Sequence, residues 1–134
     1  MTHPWYHSVR SADLFGGVPE DYLNIHNWFD ESKAFLPDLR HRALRHHAEG
    51  IFLCEQLFGV TIENTVKRKI PVRLIAEQHI QDDLGWIPTV KDWLCNLEVQ
   101  PWMTQTPFQP MKESVLKNNK SESSSQSNNC GATD

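Results

Sequence analysis

The sequence is poor in the residues that mark whole classes of protein. Three cysteines occur in 134 residues, Cys54, Cys95 and Cys130. An odd number without paired spacing gives neither a disulfide framework nor a zinc-finger signature. Cys54 and Cys95 lie in apolar helical patterns and read as reduced core residues, and Cys130 as a thiol in the tail. No window approaches the roughly 18–20 apolar residues needed to cross a membrane, and "MTHPWYHSVRSADLFGG" lacks an apolar run of signal-peptide length. The expectation is a cytoplasmic protein without a membrane partner. Excess positive charge is missing too: the net charge is −4, which gives no general drive toward nucleic acid. HExxH, CxxC, GxxxxGK[ST] and GxSxG are all absent, so the corresponding protease, redox, nucleotide and esterase chemistries have no local support.

What is present in excess is histidine, seven in all, three of them within "RHRALRHHAEG" at 40–50. This basic stretch runs directly into the apolar "IFLCEQLF". The elements around it predict a mainly α fold: an antiparallel helical hairpin plus two further helices, with a small β-hairpin insertion. Pro19, Glu20 and Asp21 have the chemistry of a helix first turn, and helix one is expected over 19–34. Pro37 and Asp38 repeat the device for helix two, expected over 37–58 and stopped at Gly59. "VTIENTVKRKIPV" predicts strands at about 60–63 and 67–71, with Pro71 confining the pair to an edge. "VRLIAEQHIQDDLG" is helical in spacing and stops at Gly85, and Thr89 opens a last helix over 89–97. Residues 1–106 are expected to form one compact domain. From Pro107 to 134 the chain is rich in Ser, Asn and Lys and reads as a disordered tail.

Helical phase, at about 100° per residue, then sorts the histidines. On helix one, Tyr22, Ile25 and Phe29 mark an apolar face that also carries His26, with Asp30 one turn later and Lys33 beyond it. On helix two, Leu36, Leu39, Ala43, Cys54, Leu57 and Phe58 mark the face; His47 falls near its middle, His46 and Arg40 at its margins, and His41 and Arg45 on the far side. Gly50 shares that face and admits a close backbone. On the third helix Val72, Ile75 and Ala76 accompany His79, with Asp83 at i+4.

A single inward histidine is commonly a neutral core residue held by one hydrogen bond. Three that converge, with carboxylates, make either a structural network or a ligand set for a divalent ion such as zinc, manganese or iron. The expected metal ligands are His26, His47, His79 and Asp83. Asp30, Lys33 and Arg40 are the residues expected to assist catalysis, the last two by stabilising phosphoryl oxygens. His3 and His7, spaced i, i+4 in "HPWYH", and His46 and Arg45 are further ligand or anion-binding candidates, the arginines 40, 42 and 45 with His41 and His46 forming an alternative phosphate clamp.

"HPWYH", "FGGVPEDYLNIHNWFDESK", "RHRALRHHAEGIFLCE" and "VRLIAEQHIQDDLGWIPTVKDWL" together resemble an uncharacterised family of small phage and bacterial proteins over about residues 3–96. That resemblance implies no activity. The ligand types are also similar to those of HD-type metal phosphohydrolases, all-helical enzymes whose histidines and aspartates hold a metal that activates water; the sequence departs from that pattern in having no His-Asp doublet. Two functions follow as expectations. One is a small metal-dependent hydrolase of phosphate esters or nucleotides. The other is a non-catalytic binding or modulator protein, whose inward histidines fix helix packing while Trp86, Trp93 and Trp102 carry contacts. A thin core would also suit burial in a homodimer.

Overall fold

The structure is a computed structural model that describes residues 3–104. The expected tail at 107–134 lies outside the described residues. Chain contacts divide the molecule into a unit ending at Val90 and a second beginning at Lys91.

The first unit is mainly helical. Its α1 spans Pro4–Phe15, with Pro4 at N1 and the His3 ring nitrogen as N-cap acceptor for Trp5 N. Its buried residues are Pro4, His7, Ser8 and Ser11, a helical spacing made of polar side chains. A short 3₁₀ turn, Pro19–Asp21, leads into α2, Leu23–Asp30, and a second 3₁₀ turn covers Glu31–Ala34. The expected single helix over 19–34 is thus present as three segments. Tyr22, Ile25 and Phe29 are buried as expected.

The expected helix over 37–58 is broken. A 3₁₀ turn at Leu39–His41, capped by the Asp38 carboxylate on Arg40 N, passes into α3, Arg42–Arg45, and α4 begins only at Ala48 and runs to Phe58. Between them His46 (φ −84°, ψ 67°) and His47 (φ −159°, ψ 170°) leave the helical region. The chain folds back so tightly here that a Cβ at position 50 would fall on the Arg45 carbonyl, which is why Gly50 stands there. The close backbone is the chain's own.

Strands β1, Thr61–Glu63, and β2, Lys69–Pro71, pair antiparallel with Ile62 opposite Ile70. Helix α5, Val72–Leu84, follows directly and ends at Gly85 in the left-handed region (φ 81°). The core collects Tyr22 from the N-cap of α2, Ile25 and Phe29 from α2 itself, Ile51 and Cys54 from α4, Ile70, and Val72, Ile75, Ala76 and Ile80 from α5. Leu39 and Leu57, expected inside, are exposed, because the break rotates α4 relative to the residues before it.

Helix α6, Val90–Leu94, starts at the unit boundary, and α7 spans Pro101–Thr104. Cys95 is half-buried and disulfide-bonded, which corrects the expectation of a reduced core thiol; Cys54 is free and buried, as expected. Among the described residues no helix is long and apolar enough to cross a membrane.

Candidate metal centre

The polar faces of α1, α2 and α5 and the α3–α4 junction meet inside the first unit. His7, His26, His41, His46 and His79 are each at most 1 % exposed, and Asp30 is 9 % exposed. Two sets of side chains there lie close enough to share an ion: His7, His26 and His79, and Asp30, His46, His79 and Asp83.

The second set has the better geometry. His46 Nε2 lies 3.0 Å from Asp83 Oδ2 and 3.7 Å from Asp30 Oδ1; His79 Nε2 lies 3.3 Å from Asp83 Oδ2, 3.6 Å from Asp30 Oδ1 and 3.2 Å from His46 Nε2. A tetrahedral ion with bonds of about 2.0–2.1 Å needs edges of about 3.3–3.4 Å. The five distances bracket that value, and one ligand atom from each of the four residues lies within 4.8 Å of the others, so the set is close enough to share one ion.

Hydrogen-bond accounting fixes the state of the rings. Gln78 Nε2 donates to His7 O (3.0 Å) and to Asp82 Oδ2 (2.9 Å), which leaves Gln78 Oε1 as an acceptor for the Ser11 hydroxyl. Ser11 has one hydrogen and only acceptors to give it to, Gln78 Oε1 and His7 O. Its oxygen therefore accepts from His26 Nε2, 2.7 Å away. Burial first, then the neighbouring charges of His79 and His7, push His26 down to about 2, so the ring is neutral and its Nδ1 is a lone pair. That lone pair accepts from His79 Nδ1 at 2.9 Å. The relay Gln78–Ser11–His26 thus leaves His79 Nε2 to face Asp30 and Asp83 either with a second proton or with a lone pair for a cation.

The same relay disfavours the first set, since His26 Nδ1 and His79 Nδ1 are already engaged with each other. In this arrangement His26 supports the His79 ring from behind and does not itself face Asp30 or Asp83.

Electrostatics follow from this packing. Burial alone would lower His79, but hydrogen bonds to Asp30 and Asp83 and the charges of both outweigh it and raise its pKa. Burial lowers His46 to about 4 against the pull of Asp83. Burial opposes ionisation of Asp83, yet hydrogen bonds from His46, His7 and His79 hold it well below the usual carboxylate range. Asp30 is lowered likewise, burial being overcome by His79 and by the charges of Lys33 and His46. Two ionised carboxylates therefore face the imidazole nitrogens of His46 and His79.

The other expected residues are placed elsewhere. His47 is buried, but its Nδ1 accepts from Gly50 N (2.8 Å) and its Nε2 donates to Leu44 O (3.1 Å), so both nitrogens serve the backbone. It caps α4 and is not one of the clustered ligands. His3 caps α1 and is exposed. Arg40 turns outward onto Asp38 (2.7 Å) with 78 % of its side chain exposed, away from any phosphoryl position at the cluster. Arg45 stacks on Trp28 at 4.4 Å and bonds the Trp28 carbonyl and Glu31. His7 does join the cluster, its Nε2 3.1 Å from Asp83 Oδ1 and its Nδ1 3.3 Å from Asp82 Oδ2. Sequence reasoning passed over Ser11, Gln78, Asp82 and the inward position of His41; Arg42, named there only for the alternative clamp, lies 3.6 Å from Asp83.

A family model described as Domain of unknown function (DUF6915) matches residues 2–103. The chain belongs to this family. Every member of the His/Asp cluster lies inside the matched residues. No curated protein and no solved structure matches the chain.

Proposed function

We propose that this DUF6915 domain is a metal-binding protein that holds one divalent transition-metal ion between Asp30, His46, His79 and Asp83. The observation that carries the reading is the set of five ligand-atom distances, 3.0–3.7 Å, among four side chains whose ligand atoms all lie within 4.8 Å of one another. Imidazole nitrogen and carboxylate oxygen are donors that zinc, manganese and iron accept, and two carboxylates balance a double charge. Asp30 comes from α2, His46 from the α3–α4 junction, and His79 and Asp83 from α5. An ion held there ties three separate segments and contributes to folding. Four protein ligands in a buried position are the hallmark of a structural ion rather than a catalytic one with an open position.

Elemental analysis after exposure to zinc, manganese or iron tests this. The wild type is expected to retain one ion per chain through gel filtration, and Asp83→Asn and His79→Ala to retain none. A folded wild type that retains no ion of any of the three overturns the reading and leaves a purely hydrogen-bonded network.

Hydrolysis of phosphate esters or nucleotides is the second reading. Two observations favour it: Arg42 Nη2 lies 3.6 Å from Asp83 while its buried Nε has no hydrogen-bond partner, and the charge of Lys33 reaches Asp30. Both cations could stabilise phosphoryl oxygens beside an ion that supplies Lewis acidity. Turnover of a chromogenic phosphomonoester or phosphodiester by metal-loaded protein, abolished in Arg42→Gln, would establish it; no turnover with full metal content would leave the ion structural.

A further inference from the structure

We propose that His41 is a fifth ligand to the ion, giving a five-coordinate site of three imidazole nitrogens and two carboxylate oxygens. The proposal rests on the metal reading above and adds a residue outside the four clustered atoms. His41 is fully buried. Its Nδ1 lies 2.7 Å from the Asp38 carbonyl oxygen, which can only accept, so Nδ1 carries a ring proton and Nε2 is the nitrogen left to bind an ion. That Nε2 is buried with no hydrogen-bond partner, 3.6 Å from Asp30 Oδ1. Asp30 Oδ2 is also buried without a partner.

A buried aromatic nitrogen of this kind is costly unless something occupies its lone pair. A backbone carbonyl that accepts the ring N–H and fixes the tautomer, leaving the other nitrogen for the metal, is the arrangement metal-binding histidines use. His79 shows the same plan in this protein, with His26 in the role of the Asp38 carbonyl. The one-turn helix α3 separates His41 from His46, and the helix break brings the two rings edge-to-face at 5.8 Å and 90°. Hydrogen bonding of Ser32 Oγ to His41 O at 3.1 Å anchors the backbone on the other side. His41 approaches the ligand set through Asp30 Oδ1, so its engagement draws the ring toward the ion and raises the coordination number from four to five.

Cobalt(II) reports this directly, because four-coordinate cobalt absorbs visible light several-fold more strongly than five-coordinate cobalt. The full-length chain loaded with one cobalt(II) is expected to give the weaker, five-coordinate spectrum, and His41→Ala the intense tetrahedral one. Because substitution of a buried ring can compromise folding, the wild type is also read by proton NMR. Each histidine ligand to cobalt contributes one exchangeable, strongly shifted ring N–H signal; three are expected, from His41, His46 and His79. Two such signals with a tetrahedral wild-type spectrum overturn the role of His41 while leaving the four-ligand site intact. Failure of the wild type to bind cobalt at all would instead overturn the metal reading itself.

Discussion

Adjacent residues His46 and His47 face different partners, His46 the Asp83 carboxylate and His47 the backbone of Leu44 and Gly50, and substituting them one at a time separates the metal reading from a general structural one. His47→Ala removes the N-cap acceptor from α4 and the donor to Leu44 O. Loss of a side-chain cap costs about 1 kcal/mol, range about 0.5–2, and loss of a half-buried hydrogen bond about 1 kcal/mol more. For a chain of this length about 2 kcal/mol lowers the melting temperature by roughly 6–10 °C. Metal content is expected to stay at one ion per chain, because neither His47 nitrogen faces the four ligand atoms. His47→Asn, which restores a strong capping side chain, is expected to recover at least half of the lost stability. His46→Ala removes a ligand and is expected to abolish metal retention. Differential scanning fluorimetry with elemental analysis on the same samples reads both quantities. A folded His47→Ala protein that has lost its metal, or a His46→Ala protein that keeps it, would refute the assignment.

Acid should destabilise the chelated protein well above the usual carboxylate range. His26 and His46 are held down to about 2 and about 4, so below about pH 6.5 the unfolded chain takes up two protons that the folded chain refuses, at about 1.4 kcal/mol each per pH unit. His79, with its raised pKa, is protonated in both states in this window and does not oppose the trend; its own contribution is present below about 6.5 and lost as pH rises through its folded value. Between pH 6.5 and 4.5 the loss is about 5 kcal/mol, comparable to the whole stability of many domains; equal urea midpoints at pH 7 and 5 would contradict the neutral, buried state of these rings. Ser11→Ala breaks the relay behind His79 and is expected to weaken metal affinity about 10–100-fold, with stoichiometry retained at saturating metal, measured by competition with a chromogenic chelator; unchanged affinity would show that His26 orients His79 unaided. Burial, and then the charge of Glu55, push the Cys54 thiol up to about 12, so it is expected not to react with a thiol reagent at pH 8 in the folded protein and to react once in denaturant. Rapid modification of the native chain would mean that α4 opens readily.

Much of the fold was legible because apolar residues recur at the right period. Tyr22 at the start of α2, Ile25 and Phe29 on it, and Val72, Ile75 and Ala76 on α5 are buried as their spacing implies, and Gly59 and Gly85 end α4 and α5 where expected. Helix α1 was missed for a specific reason. Its inner positions Pro4, His7, Ser8 and Ser11 keep helical spacing, but a search for hydrophobic periodicity does not register a face made of imidazole and hydroxyl groups. A buried polar face of that kind is itself a site signature, since such groups enter a core only with partners.

The candidate site was legible in part, and the part that failed traces to one backbone event. His26, His79, Asp30 and Asp83 lie on α2 and α5, and phase placed them together correctly. His41, His46 and His47 lie on either side of a break that a continuous helix over 37–58 does not contain, so each was rotated out of its true position: His47 took the inward place that belongs to His46, and His41 was sent to the outside. The break had local markers. Glu49 in the first turn of α4 and Gly50 three residues after His47 fit a helix start better than a helix middle, where glycine costs about 1 kcal/mol. Read that way, His47 becomes a cap and His46 becomes the last residue before the break, where the departing chain turns its ring toward α5. The tight reversal and the ligand set are therefore one feature: the geometry that obliges position 50 to be glycine is also what brings His46 within 3.0 Å of Asp83.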